Sequence, residues 1–113
     1  MSFGFPAYHE STRKFNLRSA VVAAAVENTL RDLEWEFKRD ASGTQFDART
    51  GWSVWSYLGE RINIQIYQDG NVWIRSECIS PIQCYDGMPF PWYGKNRKNV
   101  EKFFDVLSQS LGS

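Results

Sequence analysis

GWSVWSYLGERINIQIYQDGNVWIRSECI, residues 51–79, decides the fold. Inside it Ile62, Ile64 and Ile66 alternate with Arg61, Asn63, Gln65 and Tyr67. A period of two sends successive side chains to opposite faces, so this run predicts a strand with one face buried and the other wet. Asp69-Gly70 interrupts the alternation, and Val72 and Ile74 resume it. An Asp-Gly pair tolerates the positive φ that a tight hairpin needs, so residues 72–79 are expected to return as the antiparallel partner. Within residues 52–58 bulk falls on both sides: Trp52 and Val54 share one face, Trp55 and Tyr57 the other. Such a strand is covered on both faces or shows aromatics on its open one.

Towards the N-terminus, Trp35 and Phe37 alternate with Glu36 and Lys38, and Phe46 and Ala48 with Gln45, Asp47 and Arg49. The turn residues Asp40-Ala41-Ser42-Gly43 lie between them, which predicts a second hairpin. Val22, Val26, Leu30 and Leu33 recur at helical spacing, so residues 19–33 read as an amphipathic helix with Ser19 as its N-cap. A first strand is expected over residues 10–17, with Phe15 and Leu17 facing inward, after a loose arm over residues 1–9. Towards the C-terminus, Val100, Phe103, Phe104, Leu107 and Leu111 form one apolar stripe, with Asn96 or Asn99 as candidate caps and Gly112 beyond the last turn.

The resulting order is strand, helix, four or five strands, helix. Two amphipathic helices need one shared apolar surface, and the even-numbered strand residues Phe46, Ala48, Ile62, Ile64, Ile66 and Ile74 supply it. The expected fold class is α+β, two-layer: an antiparallel sheet of five or six strands with both helices on one face. At 113 residues a single domain is expected over residues 1–113. Residues 80–94, SPIQCYDGMPFPWYG, hold three of the four prolines and read as a long aromatic loop that packs on the domain or meets a partner.

Thirteen basic and thirteen acidic residues cancel, so no basic surplus points to nucleic acid. No apolar run approaches a membrane span. The opening MSFGFPAYHEST lacks the basic and apolar regions of a secretory signal, so a cytoplasmic location is expected. Two cysteines, Cys78 and Cys84, are too few for a disulfide scaffold, and with His9 distant in sequence no metal site is expected. No cofactor motif is present.

Candidate chemistry is sparse. Gly94-Lys95-Asn96-Arg97-Lys98-Asn99 invites comparison with a phosphate loop, but Asn96 stands where a Ser or Thr would hold magnesium, and GxxxxGK[ST] is absent. Its three cations also oppose the dipole of the helix they open. No catalytic residue is assigned: His9 has no second histidine to work with, and no Ser or Cys sits in a nucleophile motif. Glu60 and Glu77 read as polar groups turned inward. A cleft gathering Glu60, Glu77 and Arg75 would be the signature of an enzyme. The residues with binding character are Trp55, Tyr67, Trp73, Arg75, Glu77, Trp92 and Lys95, aromatics among charges being typical of interface centres. Arg75, Glu77, Asp47, Arg49, Glu36 and Lys38 are expected to form a mixed-charge lattice on the open face.

Trp52-Ser53, Trp55-Ser56, Gly59-Glu60, Ser76-Glu77-Cys78 and Gly94-Lys95-Asn96 with Asn99-Val100 occur in an order that resembles a family of small uncharacterised bacterial domains. The resemblance covers roughly residues 45–107 and departs at the aromatic, Pro-rich insert 86–93. It carries no activity. It implies that Gly94, Asn96 and Asn99 form a structural clasp, with Asn99 tied to Ser76 or Glu77. The element order also resembles a TATA-binding-protein-like or helix-grip half, which bears on fold and not on function. The expected function is a small binding module that uses the open sheet face or the aromatic loop, with a protein partner or self-association. The alternative is a module that holds an apolar small molecule between sheet and helices.

Overall fold

The computed structural model describes residues 8–50, 60–78 and 95–112. Among them the elements are β1 (Tyr8–Lys14), α1 (Ser19–Asp32), β2 (Glu36–Arg39), β3 (Gln45–Arg49), β4 (Glu60–Ile66), β5 (Asn71–Cys78) and α2 (Lys95–Leu111). The strands form one five-stranded antiparallel sheet in the order β1-β5-β4-β3-β2. β2 to β5 run as a meander of sequential neighbours. Among the described strands β1 and β2 are the two edges, so the chain crosses the sheet between them, and α1 lies in that crossing.

Alternation places Phe46, Ala48, Ile62, Ile64, Ile66, Val72 and Ile74 on one face, all buried. The apolar stripes of both helices meet that face, and Val22, Val26, Leu30, Val100, Phe103 and Leu107 complete the core. The architecture is therefore α+β in two layers. Burying residues such as Phe46, Phe103 and the three isoleucines of β4 stabilises each by roughly 1.5–3 kcal/mol relative to exposure. α2 runs antiparallel to β5: Asn96 near its start bonds Ser76 near the end of β5, and Ser108 near its end receives Arg13 from the end of β1.

Gly70 has φ +87, as the hairpin turn requires. It also abuts β1's exit, where Phe15 N–H donates to the Gly70 carbonyl at 3.0 Å, and a Cβ on Gly70 would collide with the Phe15 carbonyl oxygen. This close approach seats the Phe15 ring 6.5 Å from that of Phe104.

Four local expectations are corrected. The first strand begins at Tyr8, so Tyr8 and His9 are not part of a loose arm, and it ends at Lys14 rather than Leu17. Leu17 is 41% exposed, because the chain turns immediately after Phe15: Leu17 N–H bonds the Phe15 carbonyl at 2.8 Å. Ser19 is the first helical residue and the N-cap is Arg18, without a side-chain cap. Neither Asn96 nor Asn99 caps α2 from outside: both lie within its first turns with their side chains buried against the sheet.

α1 ends in a paired turn. Glu34 N–H bonds the Arg31 carbonyl and Trp35 N–H the Leu30 carbonyl, both at 3.0 Å, while Glu34 takes φ +60. These two bonds satisfy carbonyls the helix leaves open, in the arrangement usually built on glycine. Trp35, buried in the core, holds Glu34 in that conformation.

Candidate functional site

Thr50, Glu60, Ser76, Asn96 and Asn99 are buried polar residues from four different stretches of chain. A single hydrogen-bond path joins them. Glu60 N–H donates to Thr50 Oγ1 at 2.7 Å, and the Thr50 hydroxyl donates in turn to Glu60 Oε1 at 3.0 Å. Asn99 Nδ2 donates to the same Oε1 at 2.8 Å and to Ser76 Oγ at 3.2 Å. Ser76 Oγ then donates to Asn96 Oδ1 at 2.8 Å. Both protons of the Asn99 amide are used, and the Thr50 and Ser76 hydroxyls each donate once and accept once. Glu60 Oε2 is buried without a hydrogen-bond partner among the described residues.

The fold explains this placement. Asn96 and Asn99 continue the buried stripe of Val100, Phe103 and Leu107 by one turn at helical spacing. There α2 passes the end of the sheet, where Ser76 and Glu60 follow Ile74 and Ile62 on the same face. α2 has cations but no acid in its own first turn. A carboxylate at a helix start is favoured by the exposed N–H groups and the dipole. Here the carboxyl group beside the first turns of α2 comes from β4, as Glu60. Thr50 was not singled out in the sequence, although alternation after Phe46 and Ala48 puts it on this face.

The opposite face of the sheet has no buried side chain among the described residues. Register aligns its side chains in rows across the strands. Lys38, Asp47, Asn63, Arg75 and Glu10 form one row, and Glu36, Arg49, Arg61, Glu77 and Tyr8 the next. Gln45, Gln65, Trp73 and Thr12 form a third. Arg75 lies 3.8 Å from Glu77 and 4.0 Å from Glu10, too far for hydrogen bonds, with its guanidinium 4.1 Å from the centre of the Tyr8 ring. The expected lattice is looser than the sequence suggests. Lys38 and Asp47 are register neighbours, as are Glu36 and Arg49, yet none of these four nor Arg61 is in an ion pair among the described residues. On an exposed face, solvated charges gain little by closing such contacts.

Of the binding candidates, Trp73, Arg75 and Glu77 stand together on this open face. Tyr67 is exposed just past β4, its hydroxyl donating to Gln65 Oε1 at 2.9 Å. Lys95 begins α2, while Trp55, Trp92 and Gly94 lie outside the described residues, as does the loop over residues 80–94. Glu77 is not an inward group: one residue from Ser76, it belongs to the opposite face. Glu60 is therefore separated by the sheet from Arg75 and Glu77, and no cleft gathers the three. His9, on β1, pairs with Ser76 and shares its helix-facing side. No group of three or more His, Cys, Asp or Glu among the described residues is placed to hold a metal ion. No helix among them is long and apolar enough to cross a membrane.

No protein-family model matches this sequence, and comparison with curated proteins gives no match.

Proposed function

We propose that this chain is a small cytoplasmic binding module whose partner docks on the open face of the sheet. The observation that carries the reading is the contrast between the two faces. One is closed by both helices and pinned at its end by the Glu60–Asn99 network. The other presents Trp73, Tyr8 and Arg75 among charges that make few contacts within the chain. A rigid sheet with adaptable polar side chains around an aromatic suits recognition by complementarity. The clasp of Asn96 and Asn99 on Ser76 and Glu60 is structural: it fixes α2 against the sheet.

The test is a photo-crosslinking residue placed in the full chain in its producing cell, either at Asn63 in the centre of the open face or at the exposed Asn28 on α1. The reading expects discrete adducts from position 63 that position 28 does not give. Equal adduct patterns from the two positions, or none from position 63, overturn it.

A further inference from the structure

We infer that the occupant of the open face is a second copy of this chain, packed sheet to sheet about a two-fold axis parallel to β4. The inference rests on the binding-module reading above and adds the partner's identity.

The charges on the open face follow an order that is complementary to its own reverse. Across the sheet from β2 to β1, one row reads Lys38, Asp47, Asn63, Arg75, Glu10, that is, plus, minus, neutral, plus, minus. Reversed, it reads minus, plus, neutral, minus, plus. A two-fold axis along β4 lays the row on its own reverse, so Lys38 faces Glu10 of the other copy and Asp47 faces Arg75, with Asn63 on the axis. The same operation sets Arg49 of the next row against Glu77. Each of these three pairings occurs twice, giving six opposite-charge contacts. The single like-charge contact is Arg61 on its own copy, at the axis. A two-fold axis across the strands also matches charges when it runs between these two rows. Among the described residues it overlays only those two rows. The strand-parallel axis overlays every row and sets Trp73 on Gln45.

The spacing permits these contacts. Packed sheets lie about 10 Å apart, a gap that two facing long charged side chains span. Among the described residues Asp47, Lys38 and Arg49 have no ion-pair partner, and Arg75 has no acid at hydrogen-bond distance. An Arg–carboxylate pair across the interface completes what the monomer leaves open. Five strands about 4.8 Å apart and roughly 20 Å long give a face of about 500 Å² per copy, so about 1,000 Å² in a dimer. That is at the lower limit for a specific interface, so the dimer is weak and exchanging.

Sedimentation of the purified full chain from micromolar to millimolar concentration tests this. The expected result is reversible doubling of mass that weakens as salt is raised, since the contacts are ionic. Arg75→Glu and Asp47→Arg each set like charges against each other twice per dimer and are expected to weaken association roughly tenfold or more. Mixed together, the two variants are complementary at both sites, and the mixture is expected to dimerise where neither variant does alone. That rescue cannot come from misfolded chains.

A wild-type chain that stays monomeric throughout overturns the inference, and so does a mixture without rescue. If position 63 still captures a protein of another mass, the binding-module reading survives and only the second copy is wrong. If it captures nothing, both fail.

Discussion

Removing Asn99 tests the buried network most sharply, because one amide serves two partners. In Asn99→Ala the Glu60 Oε1 acceptor loses its 2.8 Å donor and Ser76 Oγ loses its 3.2 Å donor. A hydrogen bond to a carboxylate contributes about 1.5–3 kcal/mol and a longer neutral one about 0.5–1 kcal/mol. Glu60 is 1% exposed, so water does not freely replace the lost donor, and its Oε2 has no partner among the described residues. The expected loss is about 3 kcal/mol, a large part of the roughly 5–15 kcal/mol typical of a domain. In thermal unfolding this lowers Tm by about 12–20 °C. The decisive measurement is a double-mutant cycle by urea unfolding, using Asn99→Ala, Glu60→Gln and the double variant. Glu60→Gln keeps the shape but halves the acceptor character of the group. The network predicts a coupling of about 1–2 kcal/mol between the two sites, with an unchanged m-value. Strictly additive effects, or a cost for Asn99→Ala below about 0.5 kcal/mol, would falsify the claim that this bond anchors α2.

Two further outcomes follow from local geometry. Glu34→Gly is expected to raise stability by about 1 kcal/mol, because Glu34 takes φ +60 at the turn closing α1, where glycine has no Cβ to strain; a Tm below wild type would count against it. The Ser42 hydroxyl, followed by the backbone N–H groups of Gln45, Gly43 and Thr44, holds the Asp40 carboxyl below its ordinary value of 3.8. A depressed carboxyl stabilises the fold above 3.8 and loses that contribution as pH falls below it, so Asp40→Asn should flatten the stability curve there; an unchanged acid limb in urea titrations between about pH 4 and 2 would refute it.

Local periodicity made much of the fold legible. The isoleucines of β4 name their own face, Asp69-Gly70 names its turn, and Val100 to Leu111 name the buried stripe of α2, because these signals lie within a few residues of one another. The clasp was legible only in part. Asn96 and Asn99 stood out by motif, whereas Thr50 carried no motif and needed the alternation of β3 to be extended by one residue. Glu60 and Glu77 looked alike in sequence and differ in structure because they occupy opposite parities on paired strands.

Strand order, register and the long-range partners belonged to the tertiary structure. Alternation says that Ser76 and His9 each have a side; it does not say that β1 pairs with β5 and brings the two into register. Glu60 and Asn99 are 39 residues apart, and no local pattern encodes that bond. The sequence by itself determined the apolar stripes of α1, α2, β3, β4 and β5 that the core hides, since burial follows a period set by backbone geometry. Which hidden polar groups meet, and which exposed charges line up in rows, was decided only when the strands paired. A hydrogen bond needs two atoms within about 3 Å, and in a folded chain that distance is set by register rather than by separation along the sequence.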